Sequence, residues 1–301
     1  MTISGWRNTV DQRARDGRAV MMIMMIMINT VAVMLGISSV VLTGCHKADT
    51  TTMVNAEASK PVAEVPSTTP DPGLAAFELP IEGTSVTLKM QPIAPGDDIE
   101  AFYVSTTEAT WDLYDAFIFN LDTDAGESTP DSDAVTRPSK PYVLADRGYG
   151  HAGYAILSAS PAAVKQFLEW LSIKTGRTIR IPTEAEMRFL LTSSGIDDAE
   201  SRLAQGWFEE NSEYSTQAVG SKPVDDNGLH DIWGNVSEYA VATDGTYVAM
   251  GGSFIDPVAD VGLDYRIPFT IEWNAGDPQI PKSPWWLASN DWVGVRLVCD
   301  P

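Results

Sequence analysis

The chain begins with a short basic segment that is followed by 24 residues, 19–42, without a single charged side chain. In the first 18 residues four arginines stand against two aspartates, and a basic start before an apolar run is typical of an export signal. About 20 apolar residues can cross a bilayer, so the run could also remain as an uncleaved membrane-spanning helix. Under either interpretation this segment lies outside the folded domain and directs the rest of the chain out of the cytoplasm.

The residues directly after the apolar run favour cleavage. The segment 42–45 (LTGC) resembles the lipobox of bacterial lipoproteins, in which the cysteine is lipidated and becomes the first residue of the mature chain. The resemblance implies a signal peptide over residues 1–44 and a membrane anchor on Cys45; an incidental Cys45 beside a transmembrane anchor is the alternative. In Gram-negative bacteria an aspartate after that cysteine tends to hold the protein at the inner membrane. His46 stands there instead, so we expect a location in the periplasm or at the outer membrane or cell surface.

Residues 45–76 are rich in Thr, Ala, Pro and Glu and lack apolar periodicity, which predicts a flexible linker before a folded domain at 77–301. Residues 1–44 contain four of the 20 basic and two of the 41 acidic residues, so 16 basic and 39 acidic residues remain and the formal charge becomes −23. Binding to nucleic acid needs a basic surface that releases counterions from phosphates. We therefore expect no nucleic-acid partner.

The folded part combines helical patterns with short β-like runs, which predicts an α+β domain with much irregular chain. Two of the helical patterns begin with capping signals: a serine precedes a first-turn proline in one, and Thr183 is followed three residues later by Glu186 in the other. The predicted helices lie at 110–121, 160–176 and 183–195, and the predicted strands at 85–90, 102–105, 247–250 and 293–298.

Eight tryptophans follow residue 100, whereas the whole chain has two cysteines, which excludes a disulfide framework. Each tryptophan can bury a large ring against loop backbone. We expect them to build the core, with the pair Trp285-Trp286 as the best candidate for an exposed stacking surface. Cys299, in the last predicted strand, is expected to be a small buried apolar residue.

The domain also contains an ordered set of short phrases. They are TEAT at 107–110, WLS at 170–172, RIPTEAE at 180–186, GLHDI at 228–232, GNVSEY at 234–239, GGSF at 251–254 and GVR at 294–296. In order and spacing, over roughly residues 80–299, they resemble the formylglycine-generating enzyme, or sulfatase-modifying factor, family. The resemblance implies a single compact fold related to C-type lectins, with little regular secondary structure.

The same resemblance implies an oxidase that converts a sulfatase cysteine to formylglycine with two cysteines and a copper ion held by their thiolates. Soft Cu(I) prefers such sulfur ligands. Counted from the GGSF phrase, the two cysteine positions fall at Asp256 and Val261, and neither is cysteine. We therefore expect no copper and no catalytic residue of that reaction. The chain has three histidines, His46, His151 and His230, too few for the iron centre of a related branch.

A calcium site is the one family site that the sequence retains. In family members a calcium ion is bound around the GNVSEY-like phrase by side-chain and backbone oxygens, which are the ligands that Ca²⁺ favours. Ser237 and Tyr239 replace the usual tryptophans of this phrase. The alternative is that Asp231 and Glu238 cap local turns without a metal. Carried over by position, the implied ligands are Asp231, Gly234, Val236 and Glu238.

Two functions remain open for the domain. The first is a non-catalytic scaffold of the cell envelope that binds a protein or a glycan, with the loops at 122–136 and 269–291 as variable surfaces. The second is a divergent enzyme that uses the same cleft for other chemistry, for example with Asp256 as a general base. Because nothing else in the sequence places a nucleophile or an acid beside Asp256, we favour the scaffold.

Overall fold

The computed structural model describes residues 74–96, 98–122, 135–141 and 143–301. The predicted signal peptide, Cys45 and nearly all of the predicted linker lie outside these residues, so the predictions about export and lipidation remain predictions. Within the described ranges, no helix combines the length and the apolar character that crossing a bilayer requires.

Nine short strands are present in the described part of the chain. In chain order they are β1 Phe77–Pro80, β2 Thr87–Ile93, β3 Phe102–Ser105, β4 Ile179–Arg180, β5 Ser237–Val241, β6 Tyr247–Met250, β7 Ile267–Pro268, β8 Val293–Gly294 and β9 Val298–Cys299. One sheet has the antiparallel order β1-β2-β3-β9-β4, and the second has the order β7-β6-β5-β8, in which β5 and β8 are parallel. Strand β9 thus lies inside the first sheet, between β3 and β4, although it is the last in sequence.

Four helices accompany these strands in the described ranges: α1 Trp111–Ile118, α2 Pro161–Thr175, α3 Glu184–Thr192 and α4 Ala199–Gln205. The two predicted caps are confirmed. The Ser160 hydroxyl accepts from the amide of Ala163 before α2, and Thr183 and Glu186 form a reciprocal capping box at the start of α3. Helix α2 ends at a glycine with φ of 63°, a left-handed conformation that a side chain disfavours.

Several sequence predictions need correction. The first helix ends at Ile118, three residues before Leu121, whose side chain is 60% exposed and does not extend the apolar stripe. The predicted strand at 293–298 is two strands, β8 and β9, that belong to different sheets. Strands β1, β4, β5 and β7 and helix α4 were not predicted, because most are short and their partners lie far away in the sequence.

The core confirms the packing role expected for the tryptophans. Fully buried rings include Trp111, Trp170 and Trp233, and Cys299 is buried in β9 as expected. The expectation of an exposed tryptophan pair is wrong for its second member. Trp286 is 5% exposed, and its indole N–H donates to the carbonyl of Ser139, so this ring joins loops instead of facing solvent.

Candidate functional site

The positions to which the resemblance assigns the family's cysteines follow β6, in an irregular segment that starts with a glycine pair. Gly251 and Gly252 have φ of 88° and 78°, so both occupy the left-handed region that favours glycine. A Cβ atom on Gly252 would lie 2.7 Å from Cγ1 of Val261. Val261 is 2% exposed. Where the resemblance implies the second cysteine, an aliphatic side chain therefore packs directly against the glycine turn.

Asp256, where the resemblance implies the first cysteine, closes the same turn. Its Oδ2 accepts from the backbone N–H of Ser253 at 2.8 Å, from the Ser253 hydroxyl at 2.6 Å and from the Tyr265 hydroxyl at 2.8 Å. Burial, with the nearby Asp256 charge, raises the pKa of Tyr265 far above its ordinary value, so the phenol stays a hydrogen-bond donor. The three hydrogen bonds to Asp256 thus hold the turn in place. Their donors are one backbone amide and two hydroxyl groups, and no thiol takes part.

A buried ion pair lies under the predicted calcium loop. Arg296 and Glu238 are 0% and 1% exposed. Nε of Arg296 donates to both carboxylate oxygens of Glu238 at 2.8 and 2.9 Å, and Nη2 lies 2.7 Å from Oε1. The guanidinium also donates to the carbonyls of Ser105 and His230. One side chain near the end of the chain therefore joins β3, β5 and the loop before β5.

Two further carboxylates surround this pair. Glu108 Oε1 accepts from Asn235 Nδ2 at 2.9 Å, and Asp231 Oδ2 accepts from the backbone N–H of Gly220 at 2.7 Å. The second oxygen of each carboxylate is buried and has no hydrogen-bond partner in the described structure. Burial raises the pKa of Glu108, Asp231 and Glu238, and the charge of Asp231 raises that of Glu108 further.

The predicted calcium ligands lie together but do not match a calcium site as they are placed. Asp231 has φ of 52°, and Gly234 has φ of 83° with a Cβ position only 2.6 Å from the Trp207 carbonyl oxygen, so the loop between them is tightly turned. Val236 is buried. Both oxygens of Glu238 already face a cation, the guanidinium of Arg296, so calcium would have to displace or crowd that group.

In the described ranges, no group of three or more His, Cys, Asp or Glu side chains is arranged to hold a metal ion. The unpartnered oxygens of Glu108 and Asp231 are the groups of the buried cluster that keep free acceptor capacity. Glu108 and Arg296 belong to the TEAT and GVR phrases, but the sequence carried no sign that they would be buried in the same cluster.

The loop at 269–291, predicted as a variable surface, is braced by its own polar side chains. The carboxylate of Asp277 accepts from the backbone N–H groups of Gln279 and Ser283. The ammonium of Lys282 donates to the carbonyls of three residues of the same loop: Asn274, Ala275 and Asp277. A short 3-10 turn, Ile271–Asn274, opens the loop. These bonds fix the loop backbone and leave the side chains at its tips to solvent.

A cluster of side chains around His151, a residue to which the sequence assigned no role, lies on the exposed side of α1. The His151 ring stacks on Trp111 at a centroid distance of 5.1 Å. Its Nε2 lies 2.7 Å from a carboxylate oxygen of Asp115, and its Nδ1 lies 2.9 Å from one of Asp146. Burial disfavours the charged ring, but the two carboxylates outweigh it and raise the pKa of His151.

One comparison with a solved structure identifies the fold. Treponema denticola variable protein 1 is 18% identical, with a TM-score of 0.54 over 76% of this chain and 100% of that chain. PvdO from Pseudomonas aeruginosa is 17% identical over 77% and 100% of the two chains, and CarF is 15% identical over 75% and 99%, each with a TM-score of 0.49. No curated protein gives a significant match.

A family comparison agrees with the ordered phrases in the sequence. The family model described as "Sulfatase-modifying factor enzyme 1-like domain" matches residues 81–301, which is more than half of the chain. The α+β architecture of short strands and long irregular segments is the fold that the resemblance implied. The protein therefore belongs to the family of sulfatase-modifying factor enzyme 1-like domains.

Proposed function

We propose that this protein is an exported, membrane-anchored scaffold whose sulfatase-modifying factor-like domain binds an envelope partner without catalysing the family's oxidation. The observation that carries the proposal is the occupancy of the two cysteine positions. Asp256 accepts the hydrogen bonds from Ser253 that close the turn, and Val261 packs against the glycine pair. Neither side chain offers the sulfur that a copper-thiolate reaction requires.

The surface best suited to a partner is the braced loop at 269–291. Ile271 and Ile280 are 81% and 98% exposed, the two most exposed large apolar side chains among the described residues. Exposing such side chains to water is unfavourable, and an internally hydrogen-bonded loop has little conformational entropy left to lose on binding. The loop therefore has both a driving force and a preformed backbone for association.

A protein partner suits this loop better than a glycan. Sugar binding by stacking needs an open aromatic face, but Trp273 and Trp286 are buried, and Trp285 is half-buried. Branched aliphatic side chains on a rigid loop instead suit an apolar pocket on another protein, where a few anchors supply most of the binding free energy. Lipidated Cys45 would hold the domain near such a partner at the membrane.

Site-specific photo-crosslinking of the protein in its native envelope tests this proposal. A photoreactive residue at position 279 of the full chain, beside Ile280, should yield one stoichiometric adduct. The double variant Ile271→Asp/Ile280→Asp, with the photoreactive residue at the same position, should abolish that adduct. A matched control, Ile173→Asp, changes a 42% exposed isoleucine on α2 and should leave the adduct unchanged. Equal yields from all three proteins would refute this surface, and a chain released from membranes despite an intact Cys45 would refute the anchor.

A further inference from the structure

The cluster around His151 joins two segments that are far apart in the sequence. Helix α1 supplies Asp115, and the loop at 144–153 supplies Asp146 and His151 itself. A second link runs beside it, because the backbone N–H of Gly153 donates to a carboxylate oxygen of Asp112 at 2.6 Å. The C-terminal end of the loop is held on one face of α1 by carboxylates of that helix.

Only the protonated ring can make both contacts of His151 as hydrogen bonds. A neutral imidazole has one N–H donor and one lone-pair nitrogen, whereas the imidazolium donates from both nitrogens. Both ring nitrogens face carboxylate oxygens, and a lone pair directed at a carboxylate oxygen is repulsive. Loss of the proton therefore removes one of the two contacts and turns it into a repulsion.

The charges around the ring do not replace the lost contact. Helix α1 presents Asp112 and Asp115, and the loop presents Asp146. Arg147, next in the loop, donates to the Ser158 hydroxyl and the Leu287 carbonyl. Lys140 lines the adjoining cavity. With His151 neutral, the carboxylates that meet at the ring lose the cation that joins them.

A cavity of about 500 Å³ lies where the loop meets α1. Trp111, Asp115, Asp146 and His151 line it together with exposed apolar side chains, among them Phe119 and Leu144. His151 also covers the ring of Trp111, which is 1% exposed. A movement of this histidine would therefore open the cavity and uncover an aromatic surface.

We propose that His151 is a pH-operated latch: its protonated ring closes the loop at 144–153 onto α1, and its deprotonation releases the loop and widens the cavity. The closed form is the acidic form. Because the pKa of His151 is raised by Asp115 and Asp146 against the effect of burial, release falls above the ordinary histidine value of about 6.5.

Hydrogen exchange of the full chain in detergent, compared at about pH 5.5 and about pH 8.5 and corrected for intrinsic exchange, tests the latch. In the wild type, protection of the Gly153 amide and its neighbours should fall several-fold at the higher pH. His151→Gln should show the low protection at both values. His151→Lys, which keeps a positive charge throughout, should lose the pH dependence and retain more protection than His151→Gln at the higher pH.

Two further variants separate the effect of the latch from a general effect of substitution or misfolding. His230→Gln removes a histidine whose Nδ1 contacts only the Lys222 carbonyl among the described residues, and it should retain the full pH response. Asp146→Asn weakens one contact while Asp115 remains, so it should reduce the response even if His151→Gln fails to fold. Protection of the loop that is independent of pH in the wild type, or a response that persists in His151→Gln, would overturn the latch.

Discussion

Arg296 and Glu238 form a buried ion pair in which three donor–acceptor distances lie between 2.7 and 2.9 Å. The arginine comes from the end of the chain, five residues before its C-terminus, and the glutamate lies in β5. Water is excluded from both side chains, so each depends on the other for compensation of its charge. The pair thus fixes the loop that the family resemblance assigns to calcium.

Arg296→Met should strongly destabilise the domain, because it leaves Glu238 buried without its counter-charge. We expect the free energy of unfolding to fall by about 3–5 kcal/mol, the range found when one partner of a buried pair is removed. Urea denaturation measures the loss. Arg188→Met, which removes exposed contacts with Glu184, Asp264 and the Leu263 carbonyl, serves as control and should cost about 1 kcal/mol or less. Equal losses in the two variants would contradict the role of the buried pair.

Removal of calcium should leave the melting temperature unchanged, because the guanidinium of Arg296 already supplies the cation that faces Glu238. A ligand that binds only the folded form raises the melting temperature by mass action. The measurement is a thermal scan with excess calcium and with chelator. A calcium-dependent rise that disappears in Asp231→Asn would show that the calcium site implied by the resemblance forms despite the ion pair.

The free energy of unfolding of Glu108→Gln, relative to that of the wild type, should increase as the pH rises. Burial, followed by the charge of Asp231, raises the pKa of Glu108, so the folded state binds its proton more tightly than the unfolded state. The wild type therefore loses stability as the pH rises from the ordinary glutamate value of about 4.3 through the raised value, whereas the amide does not titrate. Urea titrations between about pH 4 and about pH 8 measure this difference. A constant difference would mean that Glu108 titrates alike in both states.

Asp256→Asn should weaken the turn after β6 and should not reveal an active site. The variant disturbs three hydrogen bonds to Oδ2, so we expect a loss of about 1–3 kcal/mol in the free energy of unfolding. Asp260→Asn, at an exposed position of the same segment, should change stability little. The competing idea, a divergent enzyme with Asp256 as general base, predicts instead that turnover is lost while stability is retained.

Local signals predicted the parts of the fold that depend on neighbouring residues. The caps of α2 and α3 were predicted because a helix start is determined within about four residues, as with Thr183 and Glu186. Strands such as β4 and β8 have two residues each and exist only through pairing with distant strands. No local pattern identifies such strands. The same reason explains why Trp286, held by a carbonyl 147 residues away, was expected to be exposed.

The features of the site also divide into those that motif spacing predicts and those that depend on tertiary packing. Motif spacing singled out Asp256 and Val261 as the positions where the resemblance implies cysteines, because a phrase and a count along the chain suffice for that. It predicted Asp231 and Glu238 in one irregular loop, but Glu238 lies in β5 and only Asp231 lies in the loop before that strand. It did not predict that Arg296 would reach Glu238 across 58 residues, nor that His151 would meet Asp115 across 36. Those contacts depend on tertiary packing, and they decide how each carboxylate is neutralised.

The most direct test of the account is to expose the purified full chain to Cu(I) and to a sulfatase peptide that contains the cysteine to be oxidised. Metal analysis would measure bound copper, and mass spectrometry would detect the aldehyde product. With an engaged carboxylate and a buried valine at positions 256 and 261, we predict no stoichiometric copper and no aldehyde. One copper per chain together with conversion of the peptide would contradict the non-catalytic scaffold.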